Sequence, residues 1–152
     1  MRARQLAELK PDVVTEPIFA KLQQGSASVL IRHAQTQVCG RRITVQLEWA
    51  QARDIAQPAG IFVQGFDAAH QQVFGADANL ISGYLPLEQL PPNLALTEFR
   101  EIQLAADAPL PIEIQFGVYT RDGVQRWTAT RADGQPWAGD AIVVPVVAGA
   151  NC

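Results

Sequence analysis

The side chains that could carry out chemistry are few in this sequence of 152 residues, and their spacing matches no assembled catalytic set. A serine hydrolase needs a nucleophile within hydrogen-bond reach of a base, and that nucleophile often lies in a Gly-x-Ser-x-Gly turn. The segment Gly25-Ser-Ala-Ser28 lacks the second glycine, and no spacing pairs a serine with His33 or His70. The sequence therefore does not predict serine-nucleophile chemistry.

Paired carboxylates are the other catalytic arrangement to weigh, because a glycoside hydrolase holds two of them about 5–10 Å apart across a sugar. Glu98 and Glu101 are three residues apart, so on a strand they point to opposite faces and cannot form that pair. Two further pairs could approach through loops: Asp67 with Asp77, and Asp133 with Asp140. Aspartates in turns commonly serve turn geometry. We therefore predict a chain that is not an enzyme, with a loop-carboxylate hydrolase as the weaker alternative.

Metal ligands are not grouped in the sequence. Zinc needs about three or four convergent His, Cys or carboxylate ligands, and His33, Cys39 and His70 show no close spacing. Cys39 and Cys152 are too few and too far apart for a disulfide framework. They are expected to be either two free thiols or one bridge. We predict no metal and no cofactor.

Sugar recognition is the binding chemistry with the best candidate residues. A pyranose ring stacks on an aromatic side chain while its hydroxyl groups need polar partners. Trp137 lies in a Gly- and Pro-rich segment with Asp133, Gln135 and Asp140 nearby, and these four residues are the predicted ligand-binding candidates. Large aromatic side chains usually cover apolar surface, so the favoured interpretation is that Trp137 folds over the end of the core. The predicted function is therefore a non-catalytic accessory domain with an interaction or structural role, and a carbohydrate-binding module is the alternative.

The elements that must position these residues are short strands. Ile43, Val45, Leu47 and Trp49 alternate with polar residues, a period of two that predicts a half-buried strand. The same pattern test predicts about nine strands in all, over residues 19–23, 28–33, 42–49, 60–67, 71–74, 97–104, 112–119, 124–130 and 141–147. The predicted fold class is all-β, with about 8–9 strands in two antiparallel sheets packed face to face, an immunoglobulin-like or jelly-roll-like sandwich.

Proline and glycine residues indicate where the chain turns and where its strands and helices end. Arg121-Asp122-Gly123 predicts a tight hairpin between two of these strands. Pro145 cannot donate a ladder hydrogen bond, so the last strand is expected to lie at an edge or to carry a bulge. Residues 2–9 could form a short helix that cannot continue past Pro11. We therefore expect a leader or linker over residues 1–17 and a single domain over residues 18–152.

Charge and hydropathy limit the partners. The net charge of −3 gives no electrostatic footprint for a phosphate backbone, so nucleic acid is not an expected partner. The apolar stretch 141–150 is shorter than the roughly 20 residues that span a bilayer, and the N-terminal residues lack the apolar core of a signal peptide. A glycan or another polypeptide is the expected partner, and the oligomeric state and compartment stay open.

Three segments together carry a resemblance to a known family: Ile43-Thr-Val-Gln-Leu-Glu-Trp49, Ile61-Phe-Val-Gln-Gly-Phe-Asp67 and the hairpin that begins Phe116-Gly-Val-Tyr119. Their order resembles a β-sandwich domain that follows the membrane region of some bacterial dolichyl-phosphate-mannose mannosyltransferase-type glycosyltransferases. Gln64 stands where that family often has His. The resemblance covers roughly residues 42–147 and implies an extracytoplasmic accessory module without catalytic activity of its own.

Overall fold

The computed structural model describes residues 7–81, 83–122 and 125–149, and most of these residues lie in β-strands. The strands are β1 (Ala7–Pro11), β2 (Ala20–Gln24), β3 (Ala27–Cys39), β4 (Arg42–Arg53), β5 (Ala59–Phe66), β6 (Gln72–Gly75), β7 (Leu94–Gln103), β8 (Glu113–Thr120), β9 (Gln125–Arg126), β10 (Thr128–Arg131) and β11 (Ile142–Ala148). Two short 3₁₀ helices, Leu87–Gln89 and Ala138–Asp140, are the only helical segments within these residues. The all-β prediction is confirmed. No described helix is long and apolar enough to span a bilayer.

The strands join in one mixed sheet. Its main path runs β1-β7-β4-β3-β11-β8-β5-β6, with β2 paired to β3 and β10, and β9 paired to β8. All of these pairs are antiparallel except β11 with β3, which run parallel from Val146↔Thr36 to Ala148↔Val38. The expectation of purely antiparallel pairing was therefore wrong at this one junction. The hairpin expected at 121–123 does join the antiparallel strands β8 and β9, although Gly123 lies outside the described residues.

Pro145 marks the point where β11 changes partners. Residues Ile142 to Pro145 pair with β8, and Val146 to Ala148 pair with β3. The prediction allowed an edge position or a bulge. The edge position was wrong, because β11 pairs with both β8 and β3, and the register with β8 runs without a bulge from Ile142↔Phe116 to Pro145↔Glu113. The missing N–H is tolerated because Pro145 is the last residue of the β8 ladder, and the next amide, Val146 N–H, donates to the Ile112 carbonyl at 2.9 Å.

The alternating residues of β4 and β8 form the centre of the core. Ile43, Val45, Leu47 and Trp49 are fully buried, as their spacing predicted. The rings of Trp49 and Phe116 meet edge to face with centroids 6.2 Å apart. Because β4 and β8 are separated in the sheet by β3 and β11, this contact means that the sheet curves back and its apolar faces meet.

The N-terminal segment contributes an edge strand. β1 pairs with β7 over five residues, from Ala7↔Glu98 to Pro11↔Leu94. The expected helix is therefore wrong at residues 7–9, and its residues 2–6 lie outside the described part of the chain. A helix has no advantage here because Pro11 blocks its extension, whereas the β7 edge offers free backbone partners. The division of the chain at residue 17 stays a prediction.

The inner face of β7 carries two charges. Glu98 and Arg100 are 0% and 6% exposed, and the Arg100 Nε atom donates to Glu98 Oε1 at 3.0 Å. Trp49 Nε1 donates to the same oxygen at 3.0 Å, and the Ile81 amide donates to Glu98 Oε2 at 2.9 Å. This buried ion pair holds the loop before β7 against the core. Glu101 lies exposed on the opposite face, so the prediction that the two glutamates cannot pair is confirmed.

Candidate functional site

Trp137, the predicted stacking residue, lies against the end of the core. It is 8% exposed, its ring centroid is 6.0 Å from that of Phe19, and the Arg131 guanidinium carbon is 3.7 Å from it. Its indole Nε1 is buried without a hydrogen-bond partner in the structure. In this conformation the indole ring is covered rather than presented to solvent.

The polar neighbours of Trp137 shape its loop. Asp133 Oδ1 accepts a hydrogen bond from the Gln135 amide at 3.0 Å, and Asp140 Oδ1 accepts one from the Ala129 amide at 3.3 Å. These contacts close the turn after β10, where Gly134 has a φ of 87°. The structure thus brings all four predicted residues into one loop, with both carboxylates bonded to backbone amides. Their assignment as a ligand site stays a prediction.

The other chemistry-bearing residues are dispersed. Asp67 Oδ1 accepts from the amides of Ala69 and Gln71, and His70 Nδ1 lies 3.7 Å from Glu113 Oε1. His33 is exposed on β3. Within residues 7–81, 83–122 and 125–149, no three His, Cys, Asp or Glu side chains group as metal ligands would. Cys39 is disulfide-bonded, and Cys152 lies outside the described residues.

A pocket that the sequence did not single out lies on the outer face of β5, β8 and β9. Phe62, Gln64, Asp77, Tyr119 and Arg126 line this space of about 290 Å³, which we call the Tyr119 pocket. The register of β5 and β8 places Gly60 opposite Tyr119 and Gly117 opposite Phe62. Each ring can therefore lie across the facing strand, where a glycine leaves room.

The glycines are required for this arrangement. A Cβ atom built on Gly117 would lie 2.7 Å from Phe62 Cζ, and one built on Gly60 would lie closer still to the Tyr119 ring. No side chain other than hydrogen fits at either position without moving a ring. Gly117 alternates with the buried residues Phe116 and Val118 and so faces outward, and the cross-strand register shows which ring it accommodates.

Arg126 connects this pocket to the predicted loop. Its guanidinium carbon lies 4.2 Å from the Phe62 ring centroid, and its Nη1 donates to the Gly139 carbonyl at 3.0 Å. Arg126, Gln64, Asp77 and the Tyr119 hydroxyl surround the apolar ring surface with donors and acceptors. Such a combination suits a small ligand that has one apolar face and several hydroxyl groups.

Replacing Gly60 with alanine tests how the pocket is built. The added methyl group displaces the Tyr119 ring, whose free end moves outward, so we expect a loss of stability of about 1 kcal/mol and altered Tyr119 ring signals in the NMR spectrum. Gly75→Ala in β6 is the control, since its Cβ meets only the Gln72 side-chain nitrogen at 3.0 Å. Unchanged Tyr119 signals in Gly60→Ala would show that the ring does not rest on this glycine.

Comparisons of the chain with protein-family models, curated proteins and solved structures each gave no match. The resemblance to the mannosyltransferase-associated domain therefore stays a prediction, and the function must be argued from the residues themselves.

Proposed function

We propose that this chain is a non-catalytic accessory domain that binds a glycan in the Tyr119 pocket. The observation that carries the proposal is the pocket itself, in which the Tyr119 ring lies among Gln64, Asp77 and Arg126. Phe62 is only 3% exposed and forms the floor of the pocket beneath Arg126. Stacking on an aromatic face together with hydrogen bonds to hydroxyl groups is how proteins hold a sugar ring. The volume of about 290 Å³ suits one or two sugar units rather than a long chain.

We also propose that the strands form two packed layers. The contact between Trp49 in β4 and Phe116 in β8 supports two packed layers, as in an immunoglobulin-like or jelly-roll-like sandwich. The strand β11 would then pass from one layer to the other at Pro145. Loops at the end of such layers and the outer strand faces are the surfaces left for binding.

The proposed absence of catalysis rests on how the loop carboxylates are used. Asp67, Asp133 and Asp140 each accept a hydrogen bond from a backbone amide, which is the use expected of turn aspartates. Asp77 lines the Tyr119 pocket and has a binding role in this proposal. Turnover of a glycoside by the purified protein would contradict it.

Isothermal titration with maltose, cellobiose, chitobiose and mannobiose tests the pocket. We expect one of these disaccharides to bind, and Tyr119→Ala to weaken its binding about tenfold, because loss of ring contact and packing costs roughly 1.5 kcal/mol. Tyr119→Phe keeps the ring and should retain most of the affinity. Circular dichroism and the thermal midpoint of each variant confirm that it remains folded.

The same titration separates the two candidate sites. Trp137→Ala should leave binding nearly unchanged if the Tyr119 pocket holds the sugar. Loss of binding in Trp137→Ala but not in Tyr119→Ala would place the site in the Trp137 loop, with Asp133, Gln135 and Asp140 as the polar partners. Failure of all four disaccharides to bind would count against glycan recognition by this domain.

A further inference from the structure

A second groove lies on the outer face of β1, β7, β4 and β3, away from the Tyr119 pocket. Its volume is about 660 Å³, and Glu8, Lys10, Glu16, His33 and Glu48 are among its lining residues. The register explains the clustering, because Glu8 lies opposite Thr97, Thr97 opposite Glu48, and Glu48 opposite His33. A row of four outward side chains therefore crosses four strands, and we call this surface the Glu48 groove.

Glu48 is the unusual member of this row. Its side chain is only 10% exposed, and its Oε2 atom is buried without a hydrogen-bond partner in the structure. Among the described residues, the nearest cation is Lys10, whose Nζ lies 3.8 Å from the other oxygen, a distance longer than a hydrogen bond. A buried carboxylate oxygen without a donor is costly, so a donor supplied by a ligand would be strongly favoured there.

The charges around Glu48 define the ligand. Glu8 and Glu16 add two carboxylates to the groove, whereas its Arg32 side chain is held by both oxygens of Asp12. Within the described residues, no three His, Cys, Asp or Glu side chains group as metal ligands would, so an organic cation suits the groove better than a metal ion. Phe99 also lines the groove, and an aromatic ring beside carboxylates suits a guanidinium group, which can stack and donate at once.

We propose that the Glu48 groove binds a basic segment of another polypeptide, with an arginine guanidinium taking the place of Lys10 beside the Glu48 carboxylate and donating to its oxygens once Lys10 has moved aside. Lys10 is then a weak internal competitor that the arginine displaces, since its side chain is 44% exposed and it belongs to the edge strand β1. An arginine fork can reach both carboxylate oxygens of Glu48, which a lysine ammonium group cannot do equally well. The groove volume leaves room for residues on either side of that arginine.

Fluorescence anisotropy of a labelled hexa-arginine peptide with the full chain tests this proposal. We expect saturable binding, weakened about tenfold in Glu48→Gln because the charged acceptor is lost. Lys10→Ala should tighten binding several-fold by removing the competitor. The control is Asp107→Asn, which makes the same change of charge at an exposed loop position and should alter the affinity less than about twofold.

Three outcomes would overturn the proposal. Equal weakening by Glu48→Gln and Asp107→Asn would mean that the peptide responds only to net charge. Weaker rather than tighter binding in Lys10→Ala would mean that Lys10 supports the site instead of competing for it. Absence of saturable binding of hexa-arginine would mean that the groove does not hold a basic peptide. The Lys10→Ala variant is expected to fold because Lys10 is exposed, so its result can be interpreted even if Glu48→Gln does not fold.

Discussion

Replacing Glu98 with alanine is expected to lower the free energy of unfolding by about 3–5 kcal/mol, the typical cost of leaving a buried charge without its partner. The carboxylate accepts hydrogen bonds from Trp49 Nε1, Arg100 Nε and the Ile81 amide. Arg100 has one more buried nitrogen, Nη1, that already lacks a partner. Removal of Glu98 would therefore leave the guanidinium group almost uncompensated inside the core.

Urea unfolding followed by tryptophan fluorescence measures this change. Asp107→Ala is the control, because it removes a carboxylate from an exposed loop position and should change stability by less than about 0.5 kcal/mol. The double variant Glu98→Met with Arg100→Leu should recover much of the loss, since apolar residues of similar size can replace a buried pair. Equal effects of Glu98→Ala and Asp107→Ala would contradict the buried network.

The Glu98 network also links the core to the Tyr119 pocket. Arg100 Nη2 donates to the Asn79 carbonyl at 3.3 Å, and Arg121 Nη2 donates to the Asn79 side-chain oxygen at 2.6 Å. Asn79 lies two residues after the pocket residue Asp77. Faster amide hydrogen exchange over residues 76–81 in Glu98→Ala would show that this ion pair positions the pocket wall.

The strands with strict alternation could be predicted because the period of two reports directly which side chains are buried. The strand at 43–49 and the burial of Trp49 and Phe116 follow from that pattern. At the start of the second alternating run the pattern was wrong, because Ile112 lies before β8 and is 50% exposed. β1 was missed because an edge strand exposed on both faces has little apolar patterning, and Leu9 in it is 53% exposed. The parallel pairing of β11 with β3 depends on distant chain segments, which no local pattern encodes.

The sequence could predict binding residues only where they lie close together along the chain. The sequence placed Trp137 with its three polar neighbours, but it did not show that Arg131 covers the indole ring. Glu98 and Arg100 occupy inward positions that the alternation would assign to apolar residues, so their pairing was not foreseen. The Tyr119 pocket and the Glu48 groove both arise from cross-strand register, in which residues far apart in sequence become neighbours.

Replacing Asp12 with asparagine is expected to lower the free energy of unfolding by about 2–4 kcal/mol at neutral pH, because a buried arginine loses its charged acceptor. Arg32 Nε and Nη2 donate to the two Asp12 oxygens at 3.2 and 3.0 Å, and Gln51 Nε2 donates to one of them at 2.9 Å. Both side chains of the ion pair are only 3% exposed. Thermal and urea unfolding measure the loss, with Asp107→Asn as the exposed control.

The pH dependence of this ion pair has a definite sign. The hydrogen bond from Arg32 holds the pKa of Asp12 below its ordinary value of 3.8, while burial opposes that shift. A lowered folded-state pKa means that the contribution of Asp12 is fully present above the unfolded pKa and is lost as the pH falls through the folded value. The stability difference between the wild type and Asp12→Asn should therefore be constant from neutral pH to about pH 5 and should shrink below pH 4.

The same variant tests where the domain begins. Asp12 lies in the segment expected to be a leader, yet its side chain bonds to Arg32 in β3 and Gln51 in β4, and its amide donates to the Asn93 carbonyl at 3.0 Å. If residues 7–17 fold as part of the domain, Asp12→Asn destabilises the whole cooperative transition. If they behave as a separate linker, the main unfolding transition is unchanged and only the amides of β1 exchange faster. The second result would uphold the boundary at residue 17 and would remove Lys10 from the Glu48 groove in solution.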